Sequence, residues 1–425
     1  MRGRRPVLTL GAPGIRYGVF FATYLYQGLV AGFSLTALAN HLAARGLPAA
    51  DVGVHFALAG LPWAVQPILW GPLVDRGRAF AMGRRRFWGV AAILGCHAAL
   101  AGLLLVPGTD ALGALGLVFL AHSLFAALLD TVCDRMIMDH VPAHELGRVS
   151  ACTRAGFVAG SGASAALFSW TLASLGWPDS ARLLLAAGVL ASVPILVVRE
   201  AAADALVSVS VRPAEATPSV PFRRFLRRLA LSLRRPRTLR LLALCFALDG
   251  IVALFELRLS VELVQAWGWD AGALSRVQAG LTLVGGTLGA ALVGYWSDQA
   301  GPVRPLAVLL VLGAAAFAGA AGLVAAGPSG PAAIAVLALT AVVPGLVVVA
   351  LVPTLMLASR GRTGAATRFE LFMATLNLGA VAGGAASGLS APALPLWGAA
   401  GLAALVLAGA AGLVRRPRLL LRATA

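Results

Sequence analysis

The sequence predicts an all-α integral membrane protein of about twelve transmembrane helices in two six-helix, pseudo-repeated bundles. Three observations carry that prediction. First, 59% of the 425 residues are hydrophobic and 12% are charged, with a mean hydropathy of +0.87, whereas a soluble domain has about a quarter of its residues charged. Second, apolar stretches of about 20 residues recur along the chain, the length a helix needs to cross a hydrocarbon layer about 30 Å thick. Third, arginine is concentrated in alternate connections, as expected of basic side chains that resist translocation. All 34 basic residues are arginine and 17 acids oppose them, for a net charge of +17. In a polar protein this excess would suggest nucleic acid. Here little solvated surface is left for such a partner, and the charge is assigned to the membrane face.

Open strands cannot satisfy their backbone in lipid and the alternating pattern of a barrel is absent, so every span is read as a helix. The opening Met1-Arg-Gly-Arg-Arg5 resembles the charged start of a signal peptide. The apolar run that follows is too long and has no convincing cleavage site, so it is read as an uncleaved first span. First-half spans fall at approximately 17–43, 52–74, 87–106, 112–137, 149–175 and 182–198. Those of the second half fall at approximately 239–264, 274–296, 303–326, 332–357, 365–387 and 394–414. The basic connections are the N-terminus, the loop with Arg76, Arg78 and Arg84 to Arg86, the central segment, Arg360, Arg362 and Arg368, and the tail from Arg415. The expected topology is multi-pass, in a bacterial-type inner membrane, with both termini cytoplasmic. Cys96, Cys133, Cys152 and Cys245 stand singly, without the spacing of a zinc site or a disulfide framework.

Residues 1–200 are read as the first bundle, 239–425 as the second, and 201–238 as a cytoplasmic basic linker. The linker opens with a Pro/Ser/Ala-rich stretch that has too little apolar surface to fold alone. Its second part places Phe222, Phe225, Leu226, Leu229 and Leu233 at helical spacing, with Arg223, Arg224, Arg227 and Arg228 on the other side. That pattern fits a helix lying on anionic lipid headgroups. A regulatory docking site and a plain connector are the other readings.

The two halves share an offset. Gly71-x-x-x-Asp75 follows the second span and Gly294-x-x-x-Asp298 the eighth, 223 residues later, and the same shift carries Gly156 and Gly160 onto Gly379 and Gly383. Four matches in equivalent spans favour a duplicated bundle. The loop containing Gly71, Asp75, Arg76, Gly77 and Arg78 is similar to the signature loop of the major facilitator superfamily. The resemblance extends over the whole chain. It implies a central substrate passage lined by spans one, four, seven and ten and opened to each side in turn. Local strings resemble the branch of AmpG-like muropeptide permeases and acetyl-CoA transporters: Leu61-Pro-Trp-x-x-Gln66-Pro, Asp130-x-x-x-Asp134-Arg135 with Glu145-x-Gly147, and Ala366-Thr-x-Phe-Glu370 through Asn377-Leu-Gly379. The glycine-plus-proline signature of drug/proton antiporters is incomplete, since Gly156, Gly160 and Gly162 occur without the proline.

Ionisable groups within a bilayer are costly and must pair, line water or titrate, which makes each a candidate site. Asp249 stands about ten residues into span seven, near mid-membrane, and Glu256 follows seven positions later on nearly the same face. These two are the expected proton-coupling or substrate-binding carboxylates. Tyr24, Gln27, His122 and Asn377 are polar near mid-span and are expected to contact substrate or bond between helices. Asp130 and Asp134 lie one turn apart near the cytoplasmic end of span four, with Arg135 and Arg154 nearby in sequence, and are read as an inner gate. The resemblance adds Asp75, clamping the cytoplasmic side through an arginine, with Arg368 and Glu370 as second-half counterparts and Asp298 as its repeat. Arg258 and Glu262, four apart, are expected to pair. His140 and His144 are not read as metal ligands, because Pro142 breaks the helix between them, and no metal or cofactor is expected. Walker, dinucleotide and nucleophile-elbow patterns are missing from the sequence.

The function expected from these residues is secondary active transport of a small organic solute by alternating access, with protons as the expected coupling ion. Alternatives are an uncoupled facilitator, a non-transporting sensor, and a membrane-embedded enzyme on lipid-linked substrates using Asp130 and Asp134 as acid/base or metal groups.

Overall fold

The structure is a computed structural model that describes residues 7–45, 49–76, 80–212, 221–269, 274, 277–278, 280–327, 330–361, 363–416, 418 and 420. It is all-helical, and the only β pairings among the described residues are the isolated bridges Thr9 to Arg199 and Phe80 to Val211. In the first half α1 (Pro13–Ala31) runs through a π turn (Gly32–Leu38) into α2 (Ala39–Ala44). It is followed by α3 (Ala49–Arg76), α4 (Arg86–Ala101), α5 (Leu112–His140), α6 (Leu146–Ser174) and α7 (Trp177–Val197). A short α8 (Phe222–Leu233) precedes α9 (Pro236–Gln265), α10 (Thr287–Ala300), α11 (Val303–Ala325), α12 (Gly330–Ser359), α13 (Ala365–Ser390) and α14 (Leu396–Val414).

Nine helices among the described residues are long and apolar enough to cross a membrane. The long α3 and α6 fall outside that set. α3 has Pro62, Pro67 and Pro72 in its interior, and α6 is rich in Gly, Ser and Thr. Prolines within a span are tolerated where neighbouring helices re-satisfy the freed backbone groups.

Two compact units divide the chain. One comprises Met1–Val141, Cys152–Pro221 and Gly364–Glu370; the other comprises Pro142–Ala151, Phe222–Thr363 and Leu371–Ala425. Each unit is stitched by the same helix pair. In the first, a methyl group on Gly156 or Gly160 of α6 would strike the carbonyl of Phe21 or Leu25 on α1. In the second, one on Gly379 or Gly383 of α13 would strike the carbonyl of Phe246 or Gly250 on α9. Helices in lipid associate through close packing of small residues, so these glycines set the approach of the two backbones.

The described part of the loop after α3 is held by charge as well as by the stacking of Phe80 on Phe87. Arg85 and Arg86 are 2% and 1% exposed. Arg85 donates to Asp139 at 3.0 Å and to the Val74 carbonyl, and Arg86 donates to the carbonyls of Leu206 at 2.8 Å and of Leu196. Glu200 caps the start of α4, accepting the N–H groups of Arg85 at 2.9 Å and Arg86 at 3.1 Å, and its other oxygen meets His140 Nε2 at 3.2 Å. Burial alone would push the Glu200 carboxyl up. The bonds from His140 and the two N–H groups outweigh it and hold the carboxyl below its ordinary range. A carboxyl lowered by folding adds stability that is complete at neutral pH and is lost as pH falls through the folded value. Glu200→Gln is therefore expected to cost about 2 kcal/mol at pH 7. Melting curves of variant and wild type should converge below about pH 4, and a gap that stays constant with pH would contradict the charge-based account.

The same network orders the start of the inter-bundle segment. Arg199 pairs its backbone with Leu8 and Leu10, Ala205 N–H donates to Ala81, and Asp204 binds Arg212 at 2.5 Å. Residues 199–212 thus pack against the first-half loops. The expected amphipathic helix forms as α8, with Phe225 buried and Phe222 exposed.

Candidate functional site

Polar side chains from α1, α3, α5 and α13 converge inside the first unit. Tyr24 on α1 donates its hydroxyl to Asp134 Oδ1 at 2.9 Å, and Gln27, one turn later, reaches Asp130 Oδ1 at 3.3 Å. Gln66 on α3 donates to Asp130 Oδ2 at 3.2 Å and to Thr131 Oγ1 at 3.0 Å. Glu370, 1% exposed on the first turns of α13, brings its carboxylate to the same place. His122, two turns before Asp130 on α5, is buried and bonds Tyr26 Oη at 3.1 Å.

A second feature lies wholly in the other unit. Asp249 of α9 lines a narrow cleft whose remaining walls are aliphatic or aromatic, including Phe317 of α11, Val343 and Pro344 of α12, and Leu376 of α13. Glu256, expected to share this face, is exposed and does not line the cleft, and Asn377 is exposed on α13. The adjacent Phe255 packs edge-on against Phe317 of α11, which is one wall of the cleft. Arg258 pairs with Glu262 at 3.4 Å and also donates to the Leu394 carbonyl.

The repeated Gly-x-x-x-Asp loops do the same physical job twice. Asp75 accepts the N–H groups of Ala366 at 3.0 Å and Thr367 at 2.9 Å, together with the Thr367 hydroxyl at 2.8 Å. Asp298 accepts the N–H groups of Gly147 at 2.7 Å and Arg148 at 3.1 Å. Each carboxylate therefore sits on the unsatisfied donors and positive dipole end of a helix start, α13 in one unit and α6 in the other. Gly71 makes room for this, since a side chain there would press on Thr367.

The arginines are distributed differently from their order in sequence. Arg135 pairs with Asp75 at 3.6 Å and with Asp139 at 3.0 Å, not with the adjacent Asp134. Arg148 pairs with Asp298 at 2.6 Å. Arg368 is buried on α13, whereas Arg76 and Arg154 are exposed. Arg78 lies outside the described residues. His140 is taken by Glu200, and His144 is 3.8 Å from Glu145 and largely exposed.

The sequence profile of the Major Facilitator Superfamily matches residues 17–369. The chain belongs to that superfamily. It is accordingly a multi-pass membrane transporter and not an enzyme. No curated protein matches it in sequence. Its fold is similar to that of a point variant of the Escherichia coli fucose:proton symporter FucP, with a TM-score of 0.69 at 14% identity, covering 95% of this chain and 97% of that one. A bacterial homologue of the iron transporter ferroportin, outward-facing with soaked iron, gives 0.63 at 14% identity over 94% and 96% of the two chains. The human organic anion transporter MFSD10 gives 0.65 at 17% over 94% and 98%.

Within this superfamily transporter, sequence reasoning missed Thr367, Glu200 and Asp139 as parts of the polar network around Asp75 and Arg85. Thr367 belongs to the string quoted for span eleven but carries no charge to flag it. Asp139 is one turn from Arg135 but 54 residues from Arg85, and Glu200 is 115 residues from Arg85, so only folding brings those groups to Arg85.

Proposed function

We propose that the chain is a secondary active transporter that moves a small organic solute across a bacterial inner membrane by alternating access, coupled to protons, with both termini in the cytoplasm. The observation that carries this reading is the Asp249 cleft. Its mostly apolar lining with one carboxylate suits part of a small organic molecule, and an ionisable group in a membrane span is a functional group by default. The Asp249 carboxylate exchanges its charge for a proton as access alternates, so that solute movement follows the proton gradient. The two helix-capping loops at Asp75 and Asp298 supply the inner gate, whose bonds form and break during the cycle. The strings around Gln66, Asp130 and Asn377 support a place near the muropeptide-permease and acetyl-CoA-transporter branch.

A thermal-shift screen of peptides, sugars, nucleoside derivatives and siderophores at two pH values identifies a solute, because a ligand stabilises the form it binds. Proteoliposomes of the Asp249→Asn variant are then expected to lose uptake driven by an imposed pH gradient, down to the level of empty vesicles, with the melting temperature unchanged. Wild-type uptake by that variant would falsify the role of Asp249.

A further inference from the structure

Three carboxylates meet in the first unit: Asp130 and Asp134, one turn apart on α5, and Glu370 at the start of α13. One oxygen from each lies within 4.8 Å of the other two. Asp134 and Glu370 are 4% and 1% exposed. The hydrogen bonds that reach the two aspartates come from neutral groups, the Tyr24 hydroxyl and the amides of Gln27 and Gln66. Neither oxygen of Glu370 has a hydrogen-bond partner among the described residues, although both are fully enclosed. The neighbouring Thr131 hydroxyl is donated to the Ala127 carbonyl at 2.9 Å. Buried charge is tolerated only when it is paired, and carboxylates this close repel one another. The nearest basic side chain in sequence, Arg135, is engaged by Asp75 and Asp139. A cation from outside the chain would supply the charge that the trio lacks.

We propose that Asp130, Asp134 and Glu370 form a binding site for a hard divalent cation. The converging donors are all oxygen, the set preferred by magnesium, calcium and manganese over softer metals. Size narrows the choice. Oxygens around calcium lie about 2.3–2.6 Å from the ion, so two of them can stand about 5 Å apart, whereas the tighter magnesium shell allows only about 4 Å. Oxygens that all lie within 4.8 Å of one another leave room for the larger ion. Charge narrows it further, because a monovalent ion leaves two negative charges uncompensated and a divalent ion leaves one, which the tyrosine and amide donors can stabilise. Glu370 belongs to the segment whose first N–H groups are capped by Asp75, so a bound cation ties the start of α13 to α5 and stabilises that arrangement.

The test uses the purified full chain in detergent, stripped with a chelator and titrated with Mn²⁺ while free Mn²⁺ is followed by electron paramagnetic resonance. One Mn²⁺ per chain is expected, displaced more readily by Ca²⁺ than by Mg²⁺ and accompanied by a rise in melting temperature. Glu370→Gln and Asp134→Asn keep the side-chain shapes and should each weaken Mn²⁺ binding at least tenfold. Asp249→Asn should bind as wild type does, which separates this site from the proton-coupling reading. Absence of stoichiometric Mn²⁺ binding overturns the proposal, as does unchanged binding in Glu370→Gln. Displacement by Na⁺ without preference for Ca²⁺ overturns the divalent assignment. A wild type that binds no Mn²⁺, alongside a Glu370→Gln variant that melts higher without metal, means that protons neutralise the cluster and also overturns it.

Discussion

Gly383→Leu is expected to abolish accumulation of folded protein in the membrane, and Gly160→Leu to do the same. A side chain on Gly383 would occupy the position of the Gly250 carbonyl, and one on Gly160 that of the Leu25 carbonyl. Both obstacles are backbone, which cannot rotate aside as a side chain can. Overpacking a tight contact typically costs about 1–3 kcal/mol, and where whole helices must separate the loss is expected at or above the top of that range. The neighbouring glycines provide the control. Gly384 and Gly162 have nothing within 4 Å of the position a Cβ would take, so leucine there should leave expression and melting near wild type. Size-exclusion profiles of a fluorescent fusion report all four variants together. Equal damage at positions 383 and 384 would mean that helix approach is not what the glycines provide.

The second large effect is expected at Asp75. Its side chain is 5% exposed and carries three hydrogen bonds from Ala366 and Thr367 besides the contact with Arg135. Removing one member of a buried charged set leaves the remaining groups uncompensated, at a cost of about 3 kcal/mol. Because the bonds belong to one arrangement of the start of α13, most of that cost shifts the balance between conformations. Asp75→Ala should therefore reduce initial uptake by about tenfold or more, with the protein still present in the membrane. Asp75→Asn keeps one acceptor oxygen and should fall in between. Asp298→Ala should show the same defect through Gly147 and Arg148. Undiminished uptake in both alanine variants would remove the helix caps from the transport cycle.

The parts of this molecule that are legible in advance are those written in local pattern. Hydropathy locates the helices because lipid leaves the backbone no other choice, and Gly156, Gly160, Gly379 and Gly383 announce a repeat by spacing alone. Their contacts show that the duplication is not rigid. Gly160 meets Leu25 and Gly383 meets Gly250, so the partner helix is offset by 225 residues where the glycines are offset by 223. Asp130 and Asp134 can be placed on one face from their spacing. That Glu370 joins them cannot be seen in the same way, since 236 residues separate it from Asp134 and only tertiary packing closes that distance. Arg85 and Arg86 mark the opposite limit. Their composition reads as a solvated positive-inside loop, yet both are buried, because Glu200, Asp139 and main-chain carbonyls supply acceptors that no local window contains.

The anchoring of residues 199–212 decides what that segment reports. Because Arg199, Ala205 and Asp204 bond it to the first-half loops, a spectroscopic label attached there follows the first unit alone.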